Sequence, residues 1–327
     1  MWLFIIVACL VQQTIDSKEL TSKRHLNPQE FMTIIVSTEC CYVCVCYSFH
    51  EMAMYDIPAA IDFILQKTQQ DKLYYIGHSQ GGGVGLIAFS VMPQLAKKIK
   101  LLMCFAPPYT LGSTKGPMKM LLSLPDGFKK SVWGNKEFRF FSNKLKAINA
   151  NLCSHPVMDK FCLQLIFLCA GFNRGNLNVS RADMYLGTYP DFTSVKTIRH
   201  WSQVEYHKCF LCNTKCVTVC CSQKFECLVA ISKEFKYFDY GRKNKVVYNM
   251  TKPPFYEIEK MTVPTAVWSG GNDIIAHSKD IEQLLPRITN LVFHKTIPSW
   301  HHADFIWGLD APKRLYTDVL YLMEKYK

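Results

Sequence analysis

The chain lacks the features that membrane-spanning and nucleic-acid-binding proteins need. Beyond its first residues, no apolar run in the 327 residues approaches the ~20 residues that a transmembrane helix requires. The 38 Lys and Arg against 26 Asp and Glu give a net charge of +12, spread in short groups without a basic arm or a nucleic-acid-binding motif. The sequence therefore predicts no transmembrane segment and no nucleic acid partner. A mild attraction to anionic lipid surfaces is the remaining role for the positive charge.

The fifteen cysteines lack the spacing of a zinc site. A tetrahedral zinc centre usually takes two ligand pairs that are separated by about a dozen or more residues. Neither cysteine cluster supplies this arrangement: Cys40, Cys41, Cys44 and Cys46 form one, and Cys209, Cys212, Cys216, Cys220, Cys221 and Cys227 form the other. The spacing therefore predicts no zinc site. Fifteen cysteines are nevertheless too many for an ordinary cytosolic enzyme.

The start of the chain fits a secretory route. The apolar run Trp2–Leu10 has the length of a signal peptide and is too short to cross a bilayer, although no basic residue precedes it. Two glycosylation sequons, at Asn178 and Asn249, agree with that route. The sequence predicts a signal peptide over residues 1–17 and a soluble, secreted, globular enzyme.

The most informative stretch of the chain is Gly77–Gly81, with the sequence Gly-His-Ser-Gln-Gly. It follows a run typical of a strand, Lys72–Ile76, and precedes a run typical of a helix, which is the context of a nucleophile elbow. In such a turn the serine has a strained backbone and an exposed Oγ, and residues without a Cβ are favoured on both sides. Ser79 is therefore predicted to be a nucleophile, with the backbone amide of Gln80 as an oxyanion donor.

A serine nucleophile needs a base and an orienting acid, which in this context follow in the order Ser, Asp or Glu, His. Asp273 follows a run typical of a buried strand, Val263–Trp268, that breaks at Ser269–Asn272. His301 and His302 come after the next strand-like run, and on chemical grounds alone either could be the base. The residues alone predict a Ser-His-Asp triad with two candidates for its histidine. The chemistry of such a triad requires no metal and no cofactor.

Several stretches of the chain resemble the acid lipase family, the gastric and lysosomal lipases. They are Glu51–Ala59, Gly77–Gly81, Val263–Gly271 and Asp304–Pro312. The tail pattern of that family is Trp or Tyr, any residue, His, any residue, Asp, Phe; it aligns with Trp300–Phe305 and selects His302. The resemblance implies an α/β-hydrolase fold with a mainly parallel sheet and a helical cap, which carries the lid, inserted before the strand that bears Asp273. It also implies a disulfide between Cys153 and Cys162 and a lysosomal or secreted enzyme.

The chain departs from the acid lipases at two places. Residues 209–233 interrupt a stretch that is continuous in the family, and we expect them to form a surface loop on the cap. Ahead of Tyr47, a much longer segment of the family is reduced here to a short Cys-rich tract, so that the first strands of the sheet are largely missing. The lost segment includes the His-Gly-Leu that supplies the second oxyanion donor in the family, and no His-Gly pair occurs in this chain.

The expected organisation is a divergent N-terminal tract over 18–46, an α/β-hydrolase core over 47–108 and 241–327, and a cap over 109–240. Within the core we expect a strand over 100–105, a closing helix over 312–325 and an amphipathic helix over 51–68. The apolar positions of that amphipathic helix are Met52, Tyr55, Ile57, Ala60, Ile61 and Ile64.

The combined prediction is a carboxylic ester hydrolase that acts on neutral lipid esters, such as triacylglycerols or cholesteryl esters, at a lipid–water interface. The alternative is a catalytically impaired or non-catalytic lipase-like protein, because the second oxyanion donor and the strands around it are missing. A thioesterase or a peptidase on the same fold would have the same triad, but the acid lipase tail argues against both.

Overall fold

A computed structural model of the chain describes residues 47–134, 137–138, 164, 171, 173–181, 184–185, 193–205 and 235–327. Several predictions lie outside these residues. They are the signal peptide over 1–17, the N-terminal tract over 18–46, the disulfide between Cys153 and Cys162, and the loop over 209–233.

A parallel sheet lies at the centre of the described chain. Its strands are β1 (Leu73–His78), β2 (Ile99–Phe105), β3 (Thr265–Gly270) and β4 (Leu291–Ile297). They are hydrogen-bonded in the order β1-β2-β3-β4, and all three pairings are parallel. Every residue of β3 is buried, whereas β4 is largely half-exposed, because β3 is covered on both faces and β4 lies at an edge. Within the described residues β1 pairs with β2 alone.

The side chains of the strands alternate between two apolar clusters, one on each face of the sheet. Leu102 and Cys104 of β2 belong to the cluster that also contains Ile198 and Trp201 from the region predicted as the cap. Leu101, Met103 and Phe105 of the same strand belong to the opposite cluster. This period of two is what a pleated strand imposes when both faces are covered.

Helices pack on both faces of this sheet. The longer ones are α1 (Ile57–Thr68), α2 (Gln80–Val91), α3 (Gly116–Ser123), α4 (Asp126–Trp133), α5 (Val195–Glu205), α6 (Ser278–Leu284) and α7 (Thr317–Lys325). Short α-helical turns occur at Phe49–Glu51, Pro93–Ala96, Asn244–Tyr248 and Asp304–Trp307. Turns of 3₁₀ type occur at Arg174–Asn176, Val179–Arg181, Gly241–Lys243, Ile258–Lys260 and Leu285–Arg287. Two-residue strands, Glu137–Phe138 and Thr193–Ser194, pair in an antiparallel ribbon.

The helix predicted over 51–68 is interrupted by a π-helical turn at Met52–Asp56. Pro58 follows this turn and has no N–H to donate to the carbonyl four residues earlier, so the regular hydrogen bonding fails there. Tyr55 lies within the turn and is 62 % exposed, in contrast to its predicted place on the apolar face. The other predicted positions, from Met52 to Ile64, are buried.

Prolines also explain where the predicted strand boundaries differ from the observed ones. The strand predicted over Val263–Trp268 begins at Thr265, directly after Pro264, and continues to Gly270. The following strand runs to Ile297, the residue before Pro298. The closing helix predicted over 312–325 starts as a π-helical turn and becomes α-helical at Thr317. Proline cannot donate to a strand ladder or to a helical turn, which sets these limits.

The cap helix α5 is joined to the start of the described chain by a buried polar cluster. His200 of α5 is fully buried and stacks on Phe49 with ring centroids 3.8 Å apart. Its Nε2–H donates to the carbonyl of Lys236 at 2.9 Å, and its Nδ1 lies 3.0 Å from Oγ of Ser48. Ser48 Oγ in turn donates to Glu51 at 2.6 Å. Burial lowers the pKa of His200 to about 3.

Candidate active site

Ser79 lies at a sharp turn between β1 and α2. Its backbone has φ 52° and ψ −132°, a strained conformation for a residue with a side chain. The turn is held because the Ser79 amide donates to the carbonyl of Phe105 at 2.8 Å. A Cβ added at Gly77 would lie 2.4 Å from the carbonyl carbon of Gly81, so this approach of two backbones requires glycine. These are the features of a nucleophile elbow.

The structure brings His302 and Asp273 to Ser79. His302 Nε2 lies 2.7 Å from Ser79 Oγ, and His302 Nδ1 lies 2.8 Å from Asp273 Oδ2. All three residues are buried. A carboxylate only accepts hydrogen bonds, so Nδ1 carries the proton and Nε2 is the atom that accepts the serine proton. The two bonds join the three side chains in one hydrogen-bonded series, the geometry that the predicted triad requires.

The second carboxylate oxygen of Asp273 fixes the orientation of the acid. Oδ1 accepts hydrogen bonds from the amides of Ile275 at 2.8 Å and Ala276 at 2.9 Å. These two donors hold the carboxylate in place and leave Oδ2 to face the imidazole.

His301 is directed elsewhere. Its Nδ1 lies 3.8 Å from Oδ2 of Asp304, and it has no contact with Ser79. The two adjacent histidines are equivalent candidates on chemical grounds. In the structure His302 lies against Ser79, and His301 lies near Asp304.

An apolar pocket opens beside Ser79 and His302. The space it encloses is about 530 Å³, part of which is open to solvent. Its walls are Gln80, Pro108, Leu111, Met118, Leu122, Thr193, Thr197, Ile198, Trp201 and Ile275. Seven of these ten residues lie within 109–240, so the region predicted as the cap forms most of the lining; Gln80, Pro108 and Ile275 come from α2 and from the loops after β2 and β3.

Residues 21–309 match the family described as the alpha/beta hydrolase fold. The chain belongs to the α/β-hydrolase family. The match begins ahead of the described residues and spans both the sheet and the cap region.

Within this family the chain is similar to acid lipases, as the sequence predicts. The lysosomal acid lipase/cholesteryl ester hydrolase of Macaca fascicularis is 46% identical over 283 residues, which are 86% of this chain and 65% of that protein. The gastric triacylglycerol lipase of Rattus norvegicus is 41% identical over 279 residues, 85% of this chain and 64% of that protein. The chain thus spans slightly less than two thirds of the curated relatives it matches. The lysosomal and gastric relatives agree with the predicted lysosomal or secreted localisation.

A solved structure shows the same fold at low identity. The putative lipase of Sulfolobus solfataricus aligns with a TM-score of 0.52 and 13% identity, over 87% of this chain and 67% of that chain. The predicted fold class, an α/β hydrolase with a mainly parallel sheet, is confirmed.

Two further side chains of this α/β hydrolase hold the loop that bears His302. Asp304 is buried and accepts hydrogen bonds from the His301 amide at 2.6 Å, from Asn173 at 2.8 Å and from Asn176 at 2.9 Å. Burial raises the pKa of Asp304, and these hydrogen bonds act in the opposite direction. The Asp-Phe of the family tail pattern is the sequence signal for this residue, but its two asparagine partners come from a distant segment and carry no such signal.

His78 is a second residue that contacts His302. Its Nε2–H donates to the backbone carbonyl of His302 at 2.9 Å, and the two rings have centroids 4.7 Å apart. Burial, and secondarily the charge of His302, hold the pKa of His78 well below its usual value. His78 therefore acts as a neutral donor that fixes the backbone of His302.

The proposed oxyanion donor, the amide of Gln80, belongs to the first residue of α2. A helix leaves its first amides without an intrahelical partner, so this N–H is free to face a ligand. In the part of the chain that the structure describes, no group of three or more His, Cys, Asp and Glu side chains has the geometry to hold a metal. Among the described helices, none has the length and apolar character for crossing a bilayer.

Proposed function

We propose that this α/β hydrolase is a serine carboxylic ester hydrolase that acts on neutral lipid esters. The observation that supports it most is the buried hydrogen-bonded series from Asp273 through His302 to Ser79, at 2.8 Å and 2.7 Å. Such a series turns a weakly nucleophilic hydroxyl into a nucleophile at neutral pH.

In the proposed mechanism, Ser79 Oγ attacks the ester carbonyl carbon while its proton passes to His302 Nε2. The carbonyl π electrons move to oxygen, and the resulting oxyanion is stabilised by the amide of Gln80. When the C–O bond of the tetrahedral intermediate breaks, the leaving alcohol takes the proton from His302. Water then attacks the acyl-enzyme with His302 again as base, which releases the carboxylic acid and restores Ser79. Asp273 keeps the imidazole in the required tautomer and stabilises its charged form.

The substrate class rests on the relatives and on the pocket. The relatives carry the names cholesteryl ester hydrolase and triacylglycerol lipase. The pocket next to Ser79 is lined mainly by aliphatic and aromatic side chains, among them Leu122, Ile198 and Trp201, which suit an acyl chain. We therefore propose triacylglycerols or cholesteryl esters, met at a lipid–water interface, as substrates.

The proposed domain organisation follows the same reasoning. Residues 47–108 and 241–327 form the hydrolase core, and residues 109–240 form the cap with its insertion at 209–233. Residues 1–17 and 18–46 remain proposed as a signal peptide and a divergent N-terminal tract.

The proposed glycosylation sites differ in accessibility. Asn249 is exposed at the end of a helical turn. Asn178 is half-buried, and its Oδ1 accepts hydrogen bonds from the amide and the hydroxyl of Ser180. Secretion would also allow the proposed disulfide between Cys153 and Cys162.

A serine-directed fluorophosphonate probe tests the proposed nucleophile. The secreted chain should be labelled, and Ser79→Ala should lose the label, because the phosphonate can bond only to an activated serine. Ser90→Ala is a matched control, since Ser90 lies on the same helix with its hydroxyl bonded to the carbonyl of Ile87. Equal labelling of the unmodified chain and Ser79→Ala would rule out Ser79 as the nucleophile.

The alternative is a lipase-like protein with impaired catalysis. It is favoured by the absence of a His-Gly pair in the sequence, because the acid lipases draw a second oxyanion donor from that segment. Loss of one such donor costs about 10²–10³ in kcat, or about 3–4 kcal/mol. Short-ester turnover is then expected well below that of a full-length acid lipase, with a smaller fall in probe labelling.

Fusion of the N-terminal segment of a full-length acid lipase to this chain distinguishes a fully active hydrolase from a catalytically impaired one. Recovery of turnover on fusion supports the missing donor as the cause. Turnover of the unfused chain at the full-length level would show that another amide takes that role and would discard the alternative.

A further inference from the structure

The turn that carries the oxyanion donor has almost no side chains of its own. Gln80 is followed by Gly81, Gly82 and Gly83, so the first turn of α2 is built on three consecutive glycines. Glycine in a helix is destabilising by about 1 kcal/mol relative to alanine, because its backbone has more freedom to lose. This turn therefore depends on neighbouring residues for restraint: the Tyr75 hydroxyl donates to the Gly81 carbonyl at 3.0 Å, and the Gln80 side chain offers a second point of contact.

Trp201 of helix α5 is hydrogen-bonded to the Gln80 side chain. Its indole Nε1 donates to Gln80 Oε1 at 2.8 Å. The side-chain nitrogen of Gln80, Nε2, lies 3.4 Å from Sδ of Met52. Indole can only donate a hydrogen bond, so the contact fixes which end of the carboxamide faces Trp201. Each of the three residues is less than 8 % exposed, so water does not compete for these bonds.

Trp201 is itself rigidly placed. Its ring lies 4.3 Å from that of Phe49 and 6.3 Å from that of Phe235, measured between centroids. A Cβ added at Gly83 would lie 3.8 Å from Trp201 Cη2, so the indole also covers the glycine turn. Trp201 thus connects the cap to the turn that presents the oxyanion donor.

We propose that Trp201 is a positioning residue of the reaction, acting through Gln80 on the amide that stabilises the oxyanion. The proposal rests on the proposed function. It assigns to the cap a role beyond covering the pocket, because docking of α5 against the elbow completes the geometry of the oxyanion site. Without the indole N–H, the Gln80 carboxamide is free to rotate into the pocket, and the glycine turn loses one of its restraints.

The test is steady-state hydrolysis of a short soluble ester by Trp201→Phe. Phenylalanine keeps one aromatic ring and removes the N–H together with part of the indole, a loss that the control below matches. We expect kcat to fall about tenfold, the effect of losing one buried hydrogen bond, with KM changed less than twofold and with an unaltered pH profile. Trp133→Phe is the matched control, because Trp133 lies on cap helix α4 against Phe128 and Phe138 and outside the pocket lining. Its kcat should equal that of the unmodified chain.

Gln80→Met tests the same hydrogen bond from its acceptor side. It removes the side-chain carboxamide, keeps the backbone amide and changes no residue of α5. It should lower kcat by a similar factor, and the double variant should be no worse than either single one, because both remove the same interaction. A kcat for Trp201→Phe within twofold of Trp133→Phe would overturn the inference, as would losses that multiply in the double variant. If Trp201→Phe does not fold, an undiminished kcat in Gln80→Met overturns it.

The outcomes also separate this inference from the proposed function. Labelling that persists in Ser79→Ala removes the proposed function and this inference with it. Labelling lost in Ser79→Ala, together with normal turnover in Trp201→Phe, leaves the proposed function intact and discards the inference alone.

Discussion

Replacement of His200 by glutamine should make the stability of the protein less sensitive to acid. His200 is fully buried between the cap and Ser48, with its Nε2–H bonded to the carbonyl of Lys236. Burial lowers its pKa to about 3, with the charges of His50 and Lys196 acting in the same direction. Glutamine can donate to the carbonyl of Lys236 as His200 does, but it does not titrate.

The expected change in the free energy of unfolding follows from the linkage between proton binding and folding. A neutral imidazole is favoured in the folded state, whereas histidine in the unfolded chain has a pKa of about 6.5. Above pH 6.5 both states are neutral and His200 contributes no pH dependence. Between pH 6.5 and about 3 the unfolded chain binds the proton, so the free energy of unfolding falls by about 1.4 kcal/mol per pH unit. From pH 7 to pH 5 the loss attributable to His200 is about 2 kcal/mol.

Urea denaturation followed by tryptophan fluorescence at pH 7 and pH 5 measures this loss. The difference in free energy of unfolding between the two pH values should be about 2 kcal/mol smaller in His200→Gln than in the unmodified chain. His294→Gln is the comparison variant: desolvation also lowers the pKa of His294, but this residue is exposed on β4, so its removal should reduce the difference less than His200→Gln does. An equal pH dependence in His200→Gln and the unmodified chain would refute the reasoning. It would mean that the folded protein keeps His200 charged, paired through Ser48 with Glu51.

Three other predictions concern the site and the cap. His302→Ala should abolish ester hydrolysis, since His302 is the residue that contacts both partners, while His301→Ala should lose little; the reverse ranking in a short-ester assay would move the base by one residue. Gly77→Ala should prevent folding or remove activity, because its Cβ would lie 2.4 Å from backbone across the elbow, whereas Gly127→Ala, with nothing within 4 Å, should keep the thermal midpoint and turnover. Deletion of residues 209–233 should preserve or raise soluble yield and turnover if they form a surface loop; loss of the circular dichroism spectrum on deletion would assign them a structural role.

The turn that carries Ser79 could be predicted from the sequence because its geometry depends on consecutive residues. The elbow depends on five consecutive residues and on the strand and helix around them, and Ser79 has the expected strained backbone. The choice between His301 and His302 depends on how a loop turns, and residue chemistry alone leaves it open. The resemblance to acid lipases selected His302, the histidine that lies against Ser79.

The contacts that support the site could not be predicted in the same way. Trp201 and Gln80 are 121 positions apart in the chain, and neither has a pattern that points to the other. The asparagine partners of Asp304 are similarly remote from it. Tyr55 was misplaced because a periodic pattern assumes an uninterrupted α-helix, and the π-helical turn before Pro58 changes the angular position of its residues.

The order of strands in the sheet bears on how the protein folds. The unit from β1 through α2 to β2 is continuous in sequence and builds the elbow, but β2 then pairs with β3 across about 160 residues of chain, at an entropic loss of about 4–5 kcal/mol for closing that loop. Asp273 and His302 lie beyond this closure. A growing chain that has passed β2 therefore carries Ser79 without His302, and under the proposed mechanism it cannot hydrolyse esters. Under that mechanism hydrolysis begins only when the two distant halves of the sheet have joined, so turnover would measure completed folding rather than the mere presence of the nucleophile.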